Sequence, residues 1–260
     1  VTEMKPEKIF EGDPTSDISF NRLDGLRTFW IYALGAPLLA FWMLFFTLIS
    51  RFQKPWEYER WAKMCARSFT RLAGIRVSVR GREILDPKQT CIFAPNHVNL
   101  FDMFVLYQSM PAFMRSLELA EHFSWPVFGR LITAAGQIPV DPADIKVTAK
   151  GLRKARQMLK DGHCLMVLPE GMRTRDGRIG MFYPGAFRLA IQAQVPVVPI
   201  VMKGARRINH PDDWRIRPGK VEVIFGKPVH TDGMKISETE ELGRTVRNEM
   251  IRLLNPEAFS

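Results

Sequence analysis

Two short segments carry side chains whose types and spacing suit proton transfer and anion binding. The first is Pro95-Asn96-His97-Val98-Asn99-Leu100-Phe101-Asp102, directly after the apolar run Cys91–Ala94. Imidazole is the side chain whose ordinary titration falls near neutral pH. A carboxylate that accepts one ring N–H leaves the other nitrogen facing outward as a base. His97 and Asp102 are five apart, about 140° around an ideal helix, so on one helix they would not meet. They meet only if His97 lies in a loop and Asp102 in the first turn of the helix that begins there. The plainer alternative is a structural histidine. The second segment is Leu168-Pro169-Glu170-Gly171-Met172-Arg173-Thr174-Arg175-Asp176-Gly177, again directly after an apolar run. Gly171 permits a tight turn from which Glu170 and Arg173 project. The planar fork of Arg173 suits a phosphate, and Arg175 and Arg178 add positive potential. The plainer alternative here is a Glu–Arg ion pair that fixes a loop.

Such segments need a scaffold that ends strands side by side. Ile75–Val79 alternates with period two, and Cys91–Ala94, Gln137–Val140, Cys164–Leu168, Val195–Met202 and Val221–Phe225 read as further strands. Helical patterns fall at Met103–Ser109, Trp125–Ala134, Ala143–Lys160, Tyr183–Gln194 and Ser237–Leu254. The expectation is an α/β fold: a mixed, largely covered β-sheet with surrounding helices, in one domain over residues 74–260. Open sheets of this kind place chemistry beyond the carboxyl ends of strands.

Ahead of it, Thr28–Ser50 is a run of 23 residues without a charge. One helix of that length reaches about 34 Å, enough to cross a hydrocarbon core. The many acids before it do not suit a cleavable signal. Gly35-Ala36-Pro37 in its middle, with arginines and lysines on both sides, predicts a kinked or hairpin segment inserted into one leaflet rather than a spanning helix. A buried helix of a soluble protein is the alternative. Residues 55–73 continue with apolar and basic positions at helical spacing. The division is therefore a polar segment over 1–27, a membrane-associating, hairpin-like helical segment over 28–73, and the α/β domain.

The chain has 260 residues, with 37 Lys and Arg against 27 Asp and Glu, a net charge of +10. With 46% hydrophobic and 25% charged residues it is neither disordered nor fibrous. Cys65, Cys91 and Cys164 are too scattered for a disulfide framework, and no C-x-x-C pair suggests zinc, so no metal is expected. The basic residues are spread along the chain without a nucleic-acid motif, so an anionic membrane or a phosphorylated substrate is expected, and no nucleic acid.

Taken together, N-H-V-N-L-F-D, L-P-E-G-M-R and the apolar block Val195-Pro196-Val197-Val198-Pro199-Ile200-Val201-Met202-Lys203-Gly204 resemble the glycerolipid acyltransferases, in particular the bacterial 1-acyl-glycerol-3-phosphate (lysophosphatidic acid) acyltransferases. The resemblance covers residues 30–230. It implies a membrane-associated enzyme on the inner or cytoplasmic face, monotopic, with membrane lipids around it. It would move a fatty acyl group from acyl-CoA or acyl carrier protein to a lysophospholipid hydroxyl, without a further cofactor. His97 would be the general base and Asp102 its orienting acid. Glu170 and Arg173 would hold the acceptor, with Asn96 and Gly171 completing that set. Two positions depart from the family pattern: a lysine is replaced by Leu119 and an arginine by Pro142. Arg115 or Arg130 would substitute, or the acceptor headgroup differs. Rival readings are another acceptor (a lysophospholipid, an aminolipid or glycerol 3-phosphate) and a non-enzymatic basic binder of membranes or nucleic acid.

Overall fold

The computed structural model describes residues 21–54, 57–126, 128–141 and 143–258. Most of the polar segment 1–27 and Pro142 thus lie outside the described residues. Seven strands form one sheet: β1 (Ile75–Arg80), β2 (Ile92–Pro95), β3 (Met114–Leu119), β4 (Ile138–Val140), β5 (Cys164–Met166), β6 (Val197–Lys203) and β7 (Gly219–Phe225). Their order is β1-β7-β6-β2-β5-β3-β4. Every neighbouring pair is parallel except β6 and β7, so the sheet is mixed.

Side chains alternate across the sheet with period two. Ile92, Ala94, Val197 and Val201 face α5 (Ile145–Lys160), α6 (Gly185–Ala193) and α7 (Thr239–Leu254). Phe93, Met166, Val198 and Ile200 face the other way, toward α3 (Asp102–Ser109) and Ile31 of α1 (Arg22–Ile49). Both faces are covered, as expected. The strand β3 was not foreseen. Met-Arg-Ser-Leu-Glu-Leu is built largely from good helix formers, and only its place between β5 and β4 makes it extended.

Of the kinked or hairpin segment expected around Gly35-Ala36-Pro37, the hairpin is not formed there: α1 is one helix of 28 residues that continues through Pro37. At least three turns of helix lie on either side of it. The chain reverses instead between Ile49 and α2 (Glu59–Leu72), which returns along α1. Phe46 meets Tyr58, Trp42 Nε1 donates to Ser68 Oγ at 3.0 Å, and Gly35 lies against Leu72. Trp42 and Phe46 are therefore buried, while Leu23, Leu26, Phe29, Trp30, Leu34, Phe41 and Leu44 on α1 are exposed. α1 is long and apolar enough to cross a membrane.

The amino end of α1 is fastened to the far part of the chain. Asn21 and Asp24 cap it reciprocally, each donating its N–H to the other's side chain at 2.9 Å. Ile216 N–H donates to Thr28 Oγ1 at 2.7 Å, and Thr28 is fully buried. Arg217 Nε lies 3.8 Å from Asp24 Oδ2.

Candidate active site

β2 and β5 are parallel neighbours. The chain leaves β2 for α3 on one face of the sheet and leaves β5 for α6 on the other. A crevice opens where adjacent parallel strands diverge in this way, and the two chemistry-bearing segments are the two loops at its mouth.

The first loop is held by its asparagines. Asn96 Oδ1 accepts from Met202 N at 2.8 Å, tying the loop to β6. Asn99 Oδ1 accepts from Phe101 N at 2.7 Å, and Asn99 Nδ2 donates to Ala205 O at 2.6 Å. Asn96 is buried and satisfied by backbone, so its side chain is spent on the loop. α3 then starts at Asp102, whose carboxylate lies at the helix's positive end. Asp102 Oδ2 accepts from Val98 N at 2.5 Å and Asn99 N at 3.0 Å. It also lies 2.8 Å from His97 Nδ1. An ionised carboxylate only accepts, so Nδ1 is the donor and the unprotonated Nε2 is left as the basic nitrogen. Asp102 is fully buried, whereas the His97 side chain is 26% exposed.

The second loop grips the first through the His97 backbone. Glu170 Oε1 accepts from His97 N at 2.9 Å, and Thr174 N donates to His97 O at 2.9 Å. Glu170 Oε2 accepts from Gly180 N at 2.8 Å. Both carboxylate oxygens are thus occupied by backbone amides, and the residue is buried. Burial pushes the Glu170 carboxyl above its usual range, and the two amide bonds pull back only part of the way. Glu170, expected to hold an acceptor, braces the two loops through these bonds. Gly171 follows in the left-handed region at φ +69°, and a Cβ there would come within 2.6 Å of the Tyr183 ring.

Arg173 is exposed on the same loop, and no ion pair engages it among the described residues. Arg175 lies 3.5 Å from Asp212, and its carbonyl accepts from Arg206 Nη2 at 2.6 Å. The structure therefore brings His97, Asp102, Glu170, Gly171, Arg173 and Asn96 together. It does not bring Arg115 to them. Arg115 pairs in register with Leu165, and Leu165 with Ile92, which puts it at the opposite, amino-terminal end of these strands. Its guanidinium packs over Gly136, with Nη1 3.6 Å from Met158 Sδ. Arg130 is exposed on α4 (Phe128–Ala134), a helix that packs on α1 and the 120–124 turn. Leu119, by contrast, ends β3 on the carboxyl edge and is 41% exposed. Gly180 and Thr174 had not been assigned a part, because they act through backbone amides that no residue type advertises.

Comparison with known proteins supports the same segment. A model of the Acyltransferase family matches residues 76–203, from β1 to the end of β6. The 1-acyl-sn-glycerol-3-phosphate acyltransferase of Limnanthes douglasii is 24% identical over 260 residues, covering 97% of this chain and 90% of that protein. The 1-acyl-sn-glycerol-3-phosphate acyltransferase alpha of Ovis aries is 31% identical over 181 residues, covering 69% of this chain and 63% of that protein. The crystal structure of the 1-acyl-sn-glycerophosphate acyltransferase PlsC from Thermotoga maritima shares the fold, with a TM-score of 0.78 at 22% identity over 91% of this chain and 96% of that one. The family model, whose matched span contains the histidine–carboxylate pair at the divergence of β2 and β5, and the similarity to these proteins identify the chain as an acyltransferase.

Proposed function

We propose that the enzyme moves a fatty acyl group from an acyl thioester to the free hydroxyl of a lysoglycerophospholipid, with 1-acyl-glycerol-3-phosphate as acceptor and phosphatidic acid as product. The observation that carries the reading is the 2.8 Å contact between His97 Nδ1 and the buried Asp102. It leaves Nε2 in the form that removes the acceptor's hydroxyl proton as the oxygen attacks the thioester carbonyl. Asp102 then stabilises the imidazolium, which returns its proton to the leaving thiolate. Arg173, exposed next in sequence to the Thr174 amide that holds the His97 carbonyl, meets the acceptor phosphate. Glu170 holds the two loops in register. Acyl-CoA and acyl carrier protein both present the required thioester. The exposed apolar side of α1 rests in the bilayer, monotopically and from the inner or cytoplasmic face, so that membrane lipids deliver the acceptor.

A second acceptor class has one specific observation in its favour. Leu119 occupies the exposed carboxyl edge of β3 where a cation would face an acceptor phosphate. A lysophospholipid with a capped phosphate, an aminolipid or glycerol 3-phosphate would suit that edge differently. The test is acyl transfer by the purified protein from acyl-CoA and from acyl carrier protein to a panel of these acceptors. Lysophosphatidate should be preferred, and His97→Ala should abolish turnover with every acceptor. Residual activity of the variant within about tenfold of wild type would remove His97 from the role of base.

A further inference from the structure

Glu170 depends on a group far from it in the chain. Arg247 projects from the middle of α7, and its Nη2 donates to Ile179 O at 2.8 Å while its Nε donates to Gly180 O at 3.1 Å. The fork thereby fixes the 179–180 backbone on two successive carbonyls. The amide of Gly180 donates in turn to Glu170 Oε2, and Glu170 Oε1 accepts from the His97 amide. There is no slack at Gly180, where a Cβ would come within 3.2 Å of Glu170 Oε2. Ile179 is buried in the sheet's α5–α7 face, so the carbonyls cannot follow the arginine elsewhere. Four hydrogen bonds, the first two side by side, lead in three steps from the closing helix to the backbone of the base.

We propose that Arg247 is a positioning residue for acyl transfer, setting the His97 backbone through Ile179–Gly180 and Glu170. The inference rests on the reading of His97 as general base. Arg247 touches neither substrate, so its loss alters turnover and not binding. A neutral, short side chain in its place frees the 179–180 carbonyls, lets Glu170 relax from the His97 amide, and moves the imidazole off the acceptor oxygen.

The experiment compares kcat, both KM values and the thermal midpoint for wild type, Arg247→Ala, Arg247→Lys, Glu170→Gln and the double variant Glu170→Gln/Arg247→Ala. Arg247→Ala should lower kcat about ten- to hundredfold, the scale set by a sub-ångström misplacement of a reacting group. Its KM values for donor and acceptor should stay within about twofold. Millimolar guanidinium ion should restore part of the lost kcat, and Arg247→Lys, which keeps the charge but not the fork, should not. Because the two residues act in series, the double variant should be no slower than Glu170→Gln alone. Losses that multiply in the double variant would overturn the relay. So would a raised acceptor KM at unchanged kcat, or an activity loss that cooling fully reverses along with a lowered thermal midpoint. A wild-type protein that acylates no acceptor would defeat the underlying reading. An active wild type with an inactive His97→Ala and an unaffected Arg247→Ala would defeat this inference alone.

Discussion

Consider Asp102→Asn. In a histidine–carboxylate pair an amide can fail in two ways, by turning its nitrogen toward the ring and reversing the tautomer, or by offering no charge to the imidazolium. The local geometry selects between them. Oδ2 receives two backbone N–H donors, from Val98 and Asn99, besides the ring. An amide nitrogen at that position would face both donors, so the amide oxygen must take it, and Nδ1–H keeps an acceptor. The amide nitrogen then fills the place of Oδ1, which is buried without a hydrogen-bond partner among the described residues. That should cost about 1–3 kcal/mol of stability. The chemical loss is electrostatic. Opposite unit charges about 4 Å apart attract by about 4 kcal/mol at an effective dielectric of about 20. Removing most of that from the imidazolium slows kcat about a hundred- to thousandfold. The assay is steady-state transfer at saturating donor and acceptor for Asp102→Asn and His97→Ala, with thermal midpoints alongside. A loss under about tenfold would refute the electrostatic role. A loss as complete as that of His97→Ala would refute the orientation argument, because it would mean that the amide had turned its nitrogen to the ring.

Glu170 gives a pH prediction. Its folded pKa is raised, so between the ordinary carboxylate range and that raised value the folded chain holds a proton the unfolded chain has lost. Stability from this group therefore falls as pH rises through the window, and Glu170→Gln should flatten that slope in denaturation measured from pH 4 upward. Activity should fall on acidification at a higher pH than for an ordinary glutamate, because protonation costs one of its two amide bonds. Gly171→Ala should lose about 1–2 kcal/mol from its left-handed backbone, read as a shift in the denaturant midpoint. The exposed Tyr183 ring can swing away, so adding Tyr183→Ala should recover little, and full recovery would place the cost in the clash instead. On α1, Phe29→Ser with Trp30→Ser and Leu34→Ser should release the protein from anionic vesicles in a sedimentation assay at unchanged thermal midpoint. Trp42→Ala should do the reverse, losing about 3–5 kcal/mol because that ring is buried against α2.

The contact between His97 and Asp102 was legible because its signals are local. An apolar strand, a proline that ends it and a carboxylate five residues after a histidine define a loop-to-helix turn with little help from the rest of the chain. Cys91–Ala94 and Cys164–Leu168 read as strands for a related reason, since buried parallel strands are apolar throughout. What could not be read depends on distant partners. Met114–Leu119 is extended because β5 and β4 flank it, against the preference of its own residues. Glu170 shares its motif with an arginine, which suggested a ligand, yet its partners are the amides of residues 97 and 180. Arg115 stands only four positions before Leu119, but in a strand four positions are about 13 Å, which carries it to the other end of the sheet. Pro37 is a strong breaker by type, and α1 nonetheless runs on through it.

The bonds from Thr28 to Ile216 and from Asp24 to Arg217 join the first turns of α1 to the segment that follows β6. An anchor on a loose tether would let the catalytic mouth roll through every pitch above the surface it rests on. On the proposed reading, in which the outer side of the helix rests in a bilayer, folding itself sets the pitch, and the tilt of the sheet and the height of His97 above that plane are settled together. On that reading an oily acceptor slides sideways to the imidazole, and its product slides back, without either crossing open water.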